Sequence, residues 1–388
     1  KTFSVSTPKV EITGAFRQSG SVYETRIKPS GYASYYKEIK MRTWSVDGGQ
    51  DDATWYTAGK KGNEWVAEVL LKKHKGTGMY LSYVYGVHFT GRMDLLSIDS
   101  FVVEDSEKVA EWQPEVAKKT IKVAGIKRQY DFLFIADAHM SYTDDSDDLA
   151  VQQLDRQRRG GFVNSKGLRS YEQFPKFVAY ANEHNVDAFL MGGDIIDVPS
   201  ANNIALLQEN LQQLKCQYLY VPGNHDWTYP WEYMTQKGEK EYRPLLQRFC
   251  RNGNLAVQTI EYEDLIVMAI DDSRDQIDPA VIPVLPEALQ KEKPVIIMMH
   301  VPLESESLIK KSTPKWGSSI AIGNRSVVPN SVTRTFLNMI YAQDSPVVAI
   351  LGAHVHFADD STLKNGIVQI TTDAMFNGKG VHLQISPE

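Results

Sequence analysis

With 388 residues, 42% of them hydrophobic and 23% charged, the chain has the makeup of a folded protein of two or three domains, neither fibrous nor disordered. Its 42 basic and 48 acidic residues leave a net charge of −6, which argues against a broad nucleic-acid or anionic-membrane surface, so any phosphate has to be met locally. The longest apolar runs, residues 294–301 and 346–353, stop far short of the roughly 20 residues of a transmembrane segment.

Residues 1–105 read as β structure. Short alternating runs such as 64–71 (EWVAEVLL) and 79–89 (MYLSYVYGVHF) are separated by the turn clusters 47–52 (DGGQDD) and 75–78 (KGTG). Strands at that spacing predict a small β-sandwich. This part carries 14 basic and 12 acidic residues, net +2, against −8 for the remainder, so the two parts differ in charge as well as in pattern. The polar stretch 106–120, which contains Pro114, marks the junction, and a linker is expected over 106–127 with room for a short helix or strand. The first residue is Lys1 and not Met, from which we expect an upstream segment to have been removed, a signal peptide being one option.

From residue 128 apolar runs alternate with longer amphipathic segments, the pattern of an α/β domain. Strands are expected at 130–136, 187–192, 217–222, 264–270, 294–300 and 346–351, and apolar residues three and four apart predict helices over 170–185, 203–215 and 331–343. The acidic cluster 142–149 (YTDDSDDL) is read as a solvated loop, because the glycine and closing glutamate of a calcium loop are missing. Cys216 and Cys250 are too few for a disulfide framework and form no C-x-x-C; both are expected to be structural thiols, with one disulfide left open.

Of nine histidines, His74, His88, His184 and His382 are scattered, whereas the other five stand in short polar patches that follow apolar strands. Five such patches occur: 136–140 (ADAHM), 192–197 (GGDIID), 222–226 (PGNHD), 299–302 (MHVP) and 352–357 (GAHVHF). In an open α/β sheet the loops after the strands form the ligand cleft, so patches distant in sequence converge there. They supply Asp137, His139, Asp194, Asp197, Asn224, His225, Asp226, His300, His354 and His356, which are imidazole, carboxylate and amide donors without a thiolate. Such a set suits Mn, Fe or Zn and is too rich in histidine for calcium or magnesium alone. It is large enough for two ions, and a cation pair about 3.5–4 Å apart polarises a phosphoryl oxygen and activates water. Each patch alone has an ordinary reading, a helix cap, a turn or a structural histidine. Five in this order, each behind a strand, do not.

This set resembles the calcineurin-like metallophosphoesterases. Their D-x-H, G-D-x-x-D, G-N-H-D/E, lone His and G-H-x-H motifs are met by Asp137 to His139, Gly193 to Asp197, Gly223 to Asp226, His300, and His354 to His356. The resemblance implies a four-layer αββα sandwich over 128–388 with two divalent or mixed-valence metal ions at the strand ends. By it, Asp137, His139 and His356 hold the first metal, Asn224, His300 and His354 the second, and Asp194 bridges them. It further implies in-line attack on phosphorus by a metal-bridging hydroxide. His225, beside the metals, would protonate the leaving oxygen, with Asp226 orienting its ring. Asp197 is the candidate for support behind the ligands. Where purple acid phosphatases place a metal-binding tyrosine after G-D-x-x, this chain has Asp197, so that subclass is not expected. Ala353 stands where the family has glycine before the first histidine of the last motif, and its methyl group is expected to be tolerated.

The implied substrate is a small phosphate ester. Diesters are slightly favoured over monoesters, because 227–233 (WTYPWEY) offers an aromatic wall for a second substituent, although the same residues suit plain loop packing. The run 156–160 (RQRRG) offers cations to a second phosphate or is simply a solvated helix face. In the first part, 40–58 and 74–86 resemble the GBS Bsp-like repeat of streptococcal surface proteins and cell-wall hydrolases. That resemblance implies an extracellular Ig-like sandwich over 1–105, attachment to cell-wall components, and a secreted or cell-surface location in a Gram-positive bacterium. His74, Trp44, Trp55 and Trp65 are then expected to be structural. The alternative is an envelope-binding or adhesion protein with a catalytically silent phosphoesterase scaffold, and the presence of His225 beside a complete ligand set argues against it.

Overall fold

The computed structural model describes residues 9–17, 22–30, 35–45, 50–74, 78–103, 111–143, 149–227 and 238–388. Two compact units result, Lys1–Trp112 together with Thr143–Arg169, and Gln113–Tyr142 together with Ser170–Glu388.

The first unit contains β1 (Lys9–Arg17), β2 (Val22–Ser30), β3 (Glu38–Ser45), β4 (Thr54–Thr57), β5 (Gly59–Lys61), β6 (Glu64–Leu70), β7 (Gly78–Val87) and β8 (Met93–Val103). They pair as two antiparallel sheets, β1-β2-β6-β5 and β4-β3-β7-β8. Alternation along the strands turns Ile27, Ile39, Met41, Val69, Tyr80 and Phe101 into one core. His74 is part of this packing, its Nε2 2.8 Å from the Tyr56 hydroxyl, and Trp44 is buried. Trp55 is half exposed, tilted against Tyr85. Helix α1 (Leu149–Arg158) packs against β8, so a stretch expected to lie within the C-terminal domain contributes to the N-terminal unit.

The second unit begins with β9 (Glu115–Val123), which occupies much of the expected linker, and β10 (Tyr130–Ile135). It continues through α2 (Ser170–Glu183), β11 (Ala188–Met191), α3 (Ala201–Gln212), β12 (Gln217–Tyr220), β13 (Val257–Glu261) and β14 (Ile266–Ile270). Then come α4 (Leu285–Leu289), β15 (Val295–Met298), α5 (Glu306–Trp316), α6 (Ser331–Ile340) and β16 (Val347–Gly352). β17 (Asp359–Thr362), β18 (Val368–Thr371) and β19 (Lys379–Pro387) close the fold.

Two sheets form, β12-β11-β10-β19-β9 and β13-β14-β15-β16-β18-β17. Phe132, Phe134 and Leu190 of the first meet Val267, Met298 and Leu351 of the second in a shared core. Phe174 of α2 packs on Phe189 outside the first sheet, and Leu285 of α4 and Phe336 of α6 pack on Ile266 and Ile297 outside the second. The result is the expected four-layer αββα sandwich. β11, β14 and β15 are buried on both faces, which explains their unbroken apolar sequence. Cutting Phe134 back to alanine in such a core costs about 3–5 kcal/mol. Both cysteines are free thiols. Among the described residues no helix is long and apolar enough to cross a membrane.

Candidate metal centre

Each of the five polar patches begins where β10, β11, β12, β15 or β16 ends, and the main chain ties them together. The Asp137 N–H donates to Gly193 O at 2.9 Å, the His139 N–H to Asp194 O at 2.8 Å, and the Ala353 N–H to His300 O at 2.9 Å. Asp137, His139, Asp194, His354 and His356 all have left-handed backbone, with φ of 52°, 45°, 51°, 67° and 55°. Such a conformation costs a non-glycine residue of order 1–3 kcal/mol, and here it falls on one residue after another of the expected ligand set. Two glycines allow the close approach. A Cβ on Gly193 (φ 91°) would lie 2.5 Å from His300 Nδ1, and one on Gly223 would lie 2.2 Å from Asp194 Oδ1. Ala353 is buried and is not among the residues with positive φ, so nothing in its position demands glycine.

Among the described residues the side chains converge as three overlapping groups, Asp137, His139 and His356 in one, Asp194, His300 and His354 in another, and His139, Asp194 and His225 in a third that joins them, with donor atoms within 4.8 Å of one another in each. Asp194 Oδ2 lies between the first two, 3.7 Å from His139 Nε2 and 3.3 Å from His300 Nε2. His139 Nε2 faces His356 Nε2 at 3.3 Å, and His300 Nε2 faces His354 Nδ1 at 3.2 Å. Asn224 Oδ1 is buried with no hydrogen-bond partner among the described residues. A buried acceptor left unpaired costs about 1–3 kcal/mol. Ring nitrogens that face one another beside an orphaned amide oxygen are donors arranged around cations, so the residues present fit a metal pair.

Supporting groups fix the ring orientations. Gly192 O can only accept, so His300 Nδ1, 2.8 Å away, carries the proton and Nε2 is directed inward. Asp197 Oδ1 stands 3.1 Å from His139 Nδ1 and 3.0 Å from His225 Nδ1. This corrects the expectation that Asp226 orients His225. Asp226 instead accepts the main-chain N–H groups of Asp194, Ile196 and Gly223 at 2.8, 2.8 and 2.7 Å, which folds two motifs onto each other.

Electrostatics reflect a crowded donor set. Burial opposes charge on His300, yet Asp194, Asp137 and Asp272 together raise its pKa to about 10. Burial and the nearby His300 push His354 down to about 3. Burial works against the Asp194 carboxylate too, but His300, His225 and His139 hold its pKa well below the usual range. Burial and the charge of Asp194 raise Asp226 to about 7. Asp137, His139, Asp194 and His300 are buried, while Asn224, His225, His354 and His356 are partly exposed and mark the open side.

Sequence reasoning missed several neighbours. Asp272, two residues beyond β14, accepts the N–H groups of His300 and Val301 at 2.8 and 2.9 Å; its only signal was a polar patch behind an apolar run, without histidine. Trp316 and Phe376 flank His356, and nothing in the sequence pointed to them. Trp227 is fully buried with Nε1 3.0 Å from Ser273 Oγ, so it is not an aromatic wall; Thr228–Tyr233 lie outside the described residues. So do 144–148 of the acidic cluster and the side chains of Arg156 and Arg159.

An αββα sandwich with overlapping Asp/His groups at facing strand ends defines a metal-dependent phosphoester hydrolase. The calcineurin-like phosphoesterase family model matches residues 130–358, more than half of the chain, and the GBS Bsp-like repeat matches residues 15–101. The chain therefore belongs to the calcineurin-like phosphoesterase family and carries a GBS Bsp-like repeat ahead of it. No curated protein matches. Among solved structures, a dimetal phosphatase from Danio rerio is 13% identical, with 64% of this chain and 88% of that one covered and a TM-score of 0.38. A purple acid phosphatase from yellow lupin (Lupinus luteus) seeds is 12% identical, with 96% and 65% covered and a TM-score of 0.42. A polysaccharide deacetylase from Bacillus cereus is 10% identical, with 76% and 89% covered and a TM-score of 0.21. All three scores lie below 0.5, so the family rests on the sequence match and on the site.

Proposed function

We propose that the second unit hydrolyses small phosphate esters at a binuclear metal centre, and the observation that carries this is Asp194 standing between two donor groups with His225 alongside. Asp137, His139 and His356 would hold one ion, Asn224, His300 and His354 the other, and Asp194 both. When bound, such a pair polarises the phosphoryl oxygen and activates water; Mn, Fe and Zn all suit these donors.

The chain's own residues supply the rest. His225 has its Nδ1 on Asp197, which fixes the tautomer and leaves Nε2 for the substrate. As the P–O bond to the organic group breaks, Nε2–H gives its proton to the departing oxygen. Asp197 stabilises the charged ring before transfer and, through His139, links acid and ligand in one support. Asp226 and Asp272 hold main chain, so their part is to keep the loops in place.

Phosphodiesters stay slightly favoured. The wall expected at Trp227 does not support this, but Trp316 and Phe376 beside His356 offer a second organic group somewhere to rest. The GBS Bsp-like repeat supports a secreted or cell-surface enzyme held at cell-wall components.

The test is elemental analysis of the purified chain together with Mn²⁺-supplemented hydrolysis of bis-p-nitrophenyl phosphate and p-nitrophenyl phosphate. Two metals per chain with turnover are expected, and the preferred ester separates diesterase from monoesterase. No turnover after reconstitution with Mn, Fe and Zn would overturn the proposal in favour of a silent scaffold.

A further inference from the structure

α5 ends at the metal centre. It starts with the Ser305 hydroxyl accepting the Leu308 N–H and stops at Gly317 (φ 79°), so its last two residues before the cap, Lys315 and Trp316, are fixed in space. Lys315 Nζ donates to His356 O at 2.7 Å and Trp316 Nε1 donates to Val355 O at 3.0 Å. The Trp316 ring stands edge-on to the His356 ring, centroids 5.5 Å apart at 87°, and Phe376 meets the same imidazole at 5.3 Å and 82°. His356 thus has two aromatic rings against its imidazole.

Trp316 nevertheless stays 41% exposed, and it adjoins one of the partly exposed ligands that mark the open side. A lone exposed tryptophan signifies little. This one has its orientation set by an N–H bond and a ligand ring, and it has an ammonium group, Lys315 Nζ, 5.0 Å from its centroid. With Lys315 Nζ over one face and 41% of the residue exposed, a ring next to the place proposed for the phosphate suits the planar ring system of a phosphate ester, which would stack on the face away from the ammonium.

Resting on the phosphoesterase reading, we propose that Trp316 is a stacking platform that selects phosphate esters bearing a planar aromatic group, a nucleobase above all. Base stacking on an aromatic side chain gives about 5- to 150-fold in affinity.

Adenosine 5′-monophosphate and ribose 5-phosphate share the phosphate and the reacting alcohol and differ in the base. Calorimetric titration of each into the metal-loaded full chain should show at least about 5-fold preference for the nucleotide. Trp316→Leu, which fills the space without a π-face, should abolish the preference, and Trp316→Phe should keep most of it, with metal content equal to wild type in both. Equal or absent binding in the wild type, or a preference that survives in Trp316→Leu, overturns the platform. Phosphate release from either ester, measured in parallel, separates the two claims. Preference without turnover sinks hydrolysis and leaves the platform, whereas turnover without preference does the reverse.

Discussion

His139 and His225 lean on the same oxygen of Asp197, and what differs is where each Nε2 faces. The His139 Nε2 is buried among Asp194 and His356, while His225 stands at the open side. His225→Asn should therefore keep both metals and lower kcat on esters with poor leaving groups by about 10²–10⁴, with a smaller loss on p-nitrophenolate, which needs no proton. An unchanged rate on an alkyl ester would remove His225 from the acid role. Asp197→Asn touches both rings at once, because a neutral amide oxygen holds two imidazole N–H groups more weakly than a carboxylate oxygen does. Metal affinity should fall about 10- to 100-fold along with turnover, as read by titration with a chromogenic chelator. Asp226→Asn should behave differently. Its three main-chain donors are left facing an amide, so unfolding shows a loss of about 1–3 kcal/mol while the remaining active fraction turns over with a near-normal KM.

At the level of elements, the chemistry depends on loops forced into left-handed turns just beyond strand ends. Gly223→Ala tests this directly, since the added methyl would collide with Asp194 Oδ1 and with the Asp194 backbone nitrogen at 2.4 Å. We expect the variant to fold around intact sheets, seen in its far-UV spectrum, yet to bind substoichiometric metal; two full equivalents would show that the loop yields more easily than its packing suggests. The same level explains what was legible beforehand. β10, β11, β14, β15 and β16 carry nearly unbroken apolar runs and announced themselves, as did the edge strand β12 through Tyr218–Tyr220, and α2, α3 and α6 with their helical spacing. β9, with exposed Lys118, was foreseen only as room for a short helix or strand in the linker, and β17, with Asp359 and Asp360, was missed; both lie at sheet edges where no apolar run is needed, and β13, β18 and β19 were missed as well. α5 was missed because Lys310, Lys311 and Pro314 mask its pattern. The residues that gather into Asp/His groups were readable from residue type and order, while which of them serve which ion came only from the family resemblance. The partner of His225 was not, since adjacency in sequence suggested Asp226 and only the folded loops bring Asp197 to the ring.

Across the whole molecule, the chain enters the second unit at Gln113, leaves it after Tyr142 and returns at Ser170. Cutting the protein at the sequence-level boundary near 105 therefore divides the first unit. Removing residues 1–112 takes away β8 and leaves α1, with its buried Gln152 and Asp155, without the sheet it packs on. Tyr142 and Tyr171 meet edge-to-face at 5.6 Å, so the two ends of the inserted segment lie side by side. A short Gly/Ser linker can then replace 143–169 without stretching the second unit. We expect the 113–388 chain that keeps 143–169 to aggregate on size-exclusion chromatography. The chain with the linker should be monodisperse, with Tm raised by metal, since a ligand at about 100 times its Kd adds about 2.7 kcal/mol that chelation removes. It should also retain metal-dependent turnover of a small soluble ester. Equal behaviour of the two truncations would show that 143–169 does not depend on the sandwich. A soluble linker variant that binds metal but has lost turnover would instead assign residues 1–112 or 143–169 a part in the chemistry.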